Sequence, residues 1–240
     1  MPRILLAAAI LAVVVTPAVA QVPGLSGPVD FDLILGVESG PSYPGSDDGK
    51  LSPWLQFRND ISGGQDGLSF APSFGLNGPR KSEDGLEGLE PIDRAVELGG
   101  RIAYGVGAVS AYGTLRRGFG GHEGVTGALG LRHRSDISSD LTLWSGIEAV
   151  YGNARFNDTY FGVTADESRV SGLPETAPGA GFYSAALIFE ARYALSETTA
   201  VTGQVRYGRL IGDAVDSPVV SDKYQPSIRV GLSRRFSFGF

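Results

Sequence analysis

Apolar and polar positions in this chain alternate with a period of two across about ten separate segments. The clearest is 181–195, where Tyr183, Ala185, Leu187, Phe189, Ala191, Tyr193 and Leu195 share one parity while Ser184, Glu190 and Arg192 share the other. Successive side chains of an extended strand point to opposite faces, so such a segment presents one apolar and one polar face. About ten residues at roughly 3.3 Å, tilted by about 40°, rise near 25 Å, the height of the apolar band of a membrane barrel. Tyr183 and Tyr193 would then mark its two aromatic girdles. A second long run, 226–240, puts Ile228, Val230, Leu232, Phe236, Phe238 and Phe240 on one face. The complete set of predicted strands is 30–40, 51–60, 67–76, 93–104, 106–117, 123–134, 139–151, 181–195, 198–211 and 225–240. One residue resists: Arg234 shares the parity of Leu232 and Phe236, where a midplane Arg costs about 2–4 kcal/mol. Either it snorkels to the interface or a bulge shifts the register.

Connector lengths give a second signal. With the amino terminus on the periplasmic side, the external connectors are 41–50, 77–92, 118–122, 152–180 and 212–224, and the internal ones are 61–66, a tight turn at Gly105, 135–138 and 196–197. Long and short alternate except at 118–122, as expected of an antiparallel up-and-down transmembrane β-barrel. The expected class is therefore all-β, with about ten strands and twelve also compatible. The longest connector, 152–180, carries Tyr160, Phe161 and Leu173, which need burial, so it is expected to fold over or into the barrel mouth.

Composition narrows the setting. A mean hydropathy of +0.02 and 35 glycines in 240 residues suit neither a helical membrane protein nor a helical bundle. Residues 1–20 read as a secretory signal: Arg3, an apolar stretch over 4–15, and Ala18-Val19-Ala20 as a cleavage site before Gln21. That leaves 21–240 as a single barrel domain. No later stretch is apolar enough for a spanning helix, and only helices and closed barrels satisfy every backbone polar group in lipid. With no cysteine there is no disulfide framework, thiol nucleophile or lipoprotein anchor. A net charge of −6 and a pI near 5.0 exclude a nucleic-acid partner, which requires a basic face. The closing run with its aromatic end, Phe240, resembles the last strand of bacterial outer-membrane barrels, which implies the outer membrane of a Gram-negative bacterium and its lipid as the surrounding solvent.

The residues capable of chemistry are scattered. His122 and His133 fall at opposite rims, too far apart for one catalytic site, so no catalytic residue is assigned. Asp47 with Asp48, and Asp213 with Asp216, have oxygen ligands for a hard cation, but Gly45-Ser46-Asp47-Asp48-Gly49 and Gly212-Asp213 read first as turn chemistry. No metal or cofactor is expected. The polar faces of the strands carry Glu38, Glu97, Arg101, Glu148, Glu190, Arg192 and Arg206, and in a barrel this narrow such mixed charge is expected to form a paired network that fills the lumen.

Three segments permit a family comparison: Tyr43-Pro-Gly45-Ser46-Asp47-Asp48; Thr159-Tyr160-Phe161-Gly162-Val-Thr164 with Ser171-Gly-Leu-Pro174; and Arg209-Leu-Ile-Gly212-Asp213-Ala-Val-Asp216-Ser217-Pro218-Val-Val220. In this order and spacing they resemble the MipA/OmpV family of MltA-interacting proteins. The resemblance implies a non-enzymatic barrel, with a scaffold role linking a murein lytic transglycosylase to a bifunctional penicillin-binding protein. Other members are described as surface antigens or as linked to envelope stress. The alternative class is a narrow solute channel or a surface-loop role.

Overall fold

The computed structural model describes residues 29–58, 66–81 and 86–238. The alternating segments form ten strands: β1 (Val29–Pro41), β2 (Gly49–Arg58), β3 (Gly67–Asn77), β4 (Ala95–Val106), β5 (Val109–Gly120), β6 (Val125–Asp136), β7 (Leu141–Gly152), β8 (Gly181–Ala194), β9 (Thr199–Leu210) and β10 (Tyr224–Phe238). Each end lies within three residues of its expected position. The signal segment 1–20, its cleavage near Ala20 and the terminal Phe240 lie outside the described residues. Among the described residues no helix is long and apolar enough to cross a membrane.

Neighbouring strands pair antiparallel in the order β2-β1-β10-β9-β8-β7-β6-β5-β4-β3. β1 meets β10 from Val29↔Phe238 to Ser39↔Ile228, so the first and last strands join and the sheet curls into a nearly closed barrel. The polarity of a soluble protein is inverted. Leu35, Leu51, Leu115, Leu187, Phe189, Val230 and Leu232 stand on the outer surface, each about half exposed or more, while Asp32, Arg58, Glu97, Arg132, Glu190 and Gln204 are buried inside. Such a belt is stable only against lipid.

The short turns are built for two-residue and four-residue reversals. The expected turn at Gly105 falls instead at Gly107-Ala108, where Gly107 takes φ +56° as the first loop residue of a tight hairpin. The Ser138 hydroxyl accepts from the N–H groups of Asp140 and Leu141, and the Ser196 hydroxyl from those of Thr198 and Thr199. Arg234 is exposed on the outer face with unshifted pairing to Leu33 and Thr199, and it donates to the Thr199 hydroxyl at 2.8 Å. It therefore snorkels beside the 195–198 turn; the strand does not bulge there.

A bulge occurs elsewhere and corrects one expectation. Val150 pairs with Ser184 but Tyr151 pairs with Phe182, so the register slips by one residue. The extra residue reverses the parity of β8 above Ser184. Phe182 faces out and Tyr183 turns inward onto Phe156 and Phe161, at 5.0 and 5.7 Å between ring centroids. Tyr183 is thus no part of the outer girdle.

One wall differs from the rest. Among the described residues no ladder joins β2 to β3, and each of these edge strands carries an interior proline, Pro53 and Pro72. Proline lacks the donor that a central strand needs, and edges tolerate it. On the lipid side an aromatic row crosses this seam: Phe236 to Phe31 at 5.5 Å, Phe31 to Phe57 at 6.0 Å and Phe57 to Phe74 at 5.4 Å.

Candidate functional site

The long connectors form a cap. Residues 153–180 contain two helices, α1 (Ala154–Phe161) and α2 (Ala165–Ser171). Both have capping signals that strand-oriented reading passes over: the Asn153 side chain accepts from the Phe156 N–H, and Thr164 with Glu167 forms a capping box. α1 sinks Phe156, Tyr160 and Phe161, all 0–1 % exposed, against Tyr43, Leu86, Leu89, Ile92, Leu210 and Val219. Leu173 packs on the same cluster. Arg80 is buried beneath, donating to the carbonyls of Tyr160 at 3.2 Å and Glu90 at 3.3 Å. Burial pushes the Tyr160 phenol above its ordinary pKa. Burial would also raise the Glu167 carboxyl, but bonds from the backbone N–H groups of Thr164 and Glu90 and from the Thr164 hydroxyl hold it below its usual value.

The three family-like segments meet in this cap. Gly45, at φ +95°, donates its N–H to Gln225 Oε1 at 3.0 Å, and its carbonyl accepts from Ser221 and Asp222. A Cβ on Gly45 would stand 3.1 Å from Val220 and 3.7 Å from the Phe161 ring. Gln225 donates onward to the Ser46 carbonyl, and the Ser217 hydroxyl to the Phe161 carbonyl at 2.6 Å. Gly162 ends α1 by donating to the Asp158 carbonyl. Asp47 and Asp48 are exposed; Ser46 Oγ accepts from the Asp48 N–H. Asp213 and Asp216 are likewise exposed, on a short 3-10 helix (Gly212–Asp216) that leads into Ser217 and Pro218. Among the described residues no cluster of three or more metal-ligating side chains occurs.

Below the cap the lumen holds charges at several levels. Glu97 lies 3.0 Å from Arg116 and 3.3 Å from His122 Nε2, and accepts from Thr126 and Asn77. His122 is buried: Nδ1 accepts from the Gly124 N–H, and the ring meets Phe156 and Tyr160 edge-on. Gly118 is obligatory beside it, since a Cβ there would come within 2.1 Å of the ring. Glu148 accepts from Tyr112 at 2.8 Å and lies 3.4 Å from Arg206, and Glu38 lies 3.0 Å from Arg229. Arg101 stacks on the Tyr112 ring at 4.2 Å. Deepest, Glu190 meets Arg58 at 2.5 Å, Arg132 at 3.4 Å and Gln204 at 2.8 Å, with both arginines over Trp144. Arg192 lies on the same inner face near Asp32. Four of these partners, Arg58, Arg116, Arg132 and Arg229, had the same inward parity in the sequence. His133, by contrast, is exposed near the opposite end and touches Ser135.

Residues 33–236 match the MltA-interacting protein MipA family. The chain belongs to this family. MltA-interacting proteins of Escherichia coli K12 and Shigella flexneri are each 32 % identical to it over 96 residues, which is 40 % of this chain and 38 % of theirs. Thus the aligned part spans well under half the length of these relatives. Similar solved folds include the Neisserial surface protein A (9 % identity, 89 % of this chain and 100 % of that one, TM-score 0.31) and OprG from Pseudomonas aeruginosa (10 %, 86 % and 95 %, TM-score 0.32). A de novo designed transmembrane barrel gives a TM-score of 0.33 at 10 % identity, over 88 % of this chain and 98 % of that one.

Proposed function

We propose that this chain is a non-catalytic outer-membrane barrel that acts as a docking scaffold linking a murein lytic transglycosylase to a penicillin-binding protein. Membership in the MltA-interacting family carries the reading. The lumen supports it over an axial channel. An apolar cap occupies one end and the buried Arg58–Glu190–Arg132 cluster beside Trp144 occupies the other, so buried side chains stand at both ends. The docking surface would be the periplasmic rim, where the short turns 137–140 and 195–198 present Ile137 and Leu195, both more than half exposed. Crosslinking in native outer membranes followed by pull-down of the barrel tests this. Enrichment of a murein transglycosylase, lost when Ile137 and Leu195 are changed to Ser, is the expected result. No enrichment from membranes that contain the enzyme, together with stepwise ion conductance in planar bilayers, would replace the scaffold with a channel.

A further inference from the structure

We infer that the outer wall across β6–β9 binds a phosphate-bearing membrane lipid, with an acyl chain in an apolar hollow and the phosphate on Arg209 and Lys223 at its edge. The hollow measures about 640 Å³. That volume falls within the roughly 300–1,000 Å³ of small-molecule sites.

Strand pairing makes the hollow. Ala149 of β7 lies directly opposite Ala185 of β8, so two methyl groups stand side by side, while the next outward pair, Ile147 and Leu187, is long. Leu129 flanks Ala149 on one side and Arg209 flanks Ala185 on the other. Toward the long connectors stand Tyr151 and Phe182, 5.8 Å apart between ring centroids, where the bulge turns Phe182 outward. Glu148 also borders the hollow, but its carboxylate turns inward to Tyr112 and Arg206. A lining of this kind accepts hydrocarbon and penalises a polar group.

The edge selects the head. Arg209 lies opposite Tyr224 in the β9–β10 ladder, with its guanidinium 6.0 Å from the Tyr224 ring centroid. Lys223 Nζ lies 5.7 Å from the same centroid, and Tyr207 stacks on this ring at 6.0 Å. The Leu210 N–H donates to the Lys223 carbonyl at 2.8 Å, which holds that residue to the end of β9. Both cations are exposed, and among the described residues both contact Tyr224 rather than a carboxylate. The neighbouring Asp222 carboxylate accepts from the Tyr224 N–H instead. Exposed arginines elsewhere are paired, Arg155 with Glu123 and Arg169 with Asp166. Tyrosines at a strand end mark the level of lipid head groups, and an Arg with a Lys at that level favours a phosphate. A second copy of this chain docked about a two-fold axis through the hollow would bring the same cations toward each other, so lipid suits the site better.

The test uses the full mature protein in a nonionic detergent, with bound lipid counted by native mass spectrometry. Dioleoyl phosphatidic acid should be retained at about tenfold lower concentration than dioleoylglycerol or a dioleoyl trimethylammonium lipid, because only the first combines the chains with a negative head. Glycerol 3-phosphate, which has the head without chains, should not displace it. Arg209→Gln with Lys223→Gln should weaken retention about tenfold. Ala185→Phe, which fills the hollow and leaves both charges in place, should weaken it as much; Ala149→Phe serves if that variant fails to insert. Arg117→Gln removes another exposed cation, near the end of β5 and outside the hollow, and should change nothing. Equal retention of the three lipids, or a loss with Arg117→Gln equal to that of the double variant, overturns the site. Displacement by glycerol 3-phosphate, or full retention by both filled variants, overturns the seated chain. A barrel dimer that the lipid dissociates and that Ala185→Phe abolishes would make a second copy the occupant.

Discussion

The two ends of this lumen are filled by opposite chemistries. At the end with the long connectors, loops bring Phe156, Tyr160 and Phe161 into an apolar cluster that resembles the core of a soluble protein. At the other end, strands supply Arg58, Arg132 and Glu190, which are also buried but held by charge. Loops can aim successive side chains in any direction, so they can concentrate hydrophobic residues. Strands of a membrane barrel commit every other residue to lipid and fill the inside with the polar remainder. The lesson is that burial in this protein does not predict polarity; the supporting element does.

Breaking the ionic end should have the largest effect. Glu190→Leu strands two arginines in a buried site and is expected to destabilise the barrel by about 3–5 kcal/mol, read as the urea midpoint in detergent. Arg58→Met with Arg132→Met and Glu190→Leu should recover most of that loss, because a well-packed apolar set can replace a buried ion cluster. A triple variant no more stable than the single would show that the charges are required together.

Breaking the apolar end should cost a comparable or slightly smaller amount but stay local. Phe156→Ala is expected to cost about 3–5 kcal/mol within the cap and to expose 153–180 to protease while the strands remain protected. Loss of the whole barrel would contradict the separation of the two ends.

Next comes the wall that both ends share. Phe189→Arg, on the outer face, should impair insertion by about 2–4 kcal/mol, whereas Ser73→Arg, on the inner face, should insert with a smaller penalty; folding into vesicles measures both. Equal penalties would refute the assigned faces.

The smallest effect sharpens the cap. The Glu167 carboxyl is held below its ordinary pKa near 4.3, so its contribution is complete above that value and fades as the pH falls through the lowered one. Hydrogen exchange of α2 should therefore be constant from neutral pH to about 5 once intrinsic rates are removed, and protection should fall below about 4. Glu167→Gln should flatten that acid dependence.

Strand parity explains how much was legible beforehand. Leu187 and Phe189 faced out and Glu190 faced in as the alternation required, because a period of two leaves no other choice while the register holds. Tyr183 broke the rule where the sheet slipped a residue against Tyr151, an event set by pairing with β7 and without a local signature. The helices of 153–180 were locally signalled by Asn153 and by Thr164 with Glu167, although alternation alone passed over them.

By itself, then, the sequence determined the class of fold, the ten strands, the two faces and the charged character of the lumen, since each follows from side-chain direction along an extended backbone. Only the tertiary structure decided which charges meet, that Gly45, Phe161 and Val220 touch across the cap, that Tyr183 turns inward, and that no ladder joins β2 to β3 among the described residues. Those outcomes depend on how strands far apart in sequence align and curl, and contacts between distant segments leave no period in the chain to read.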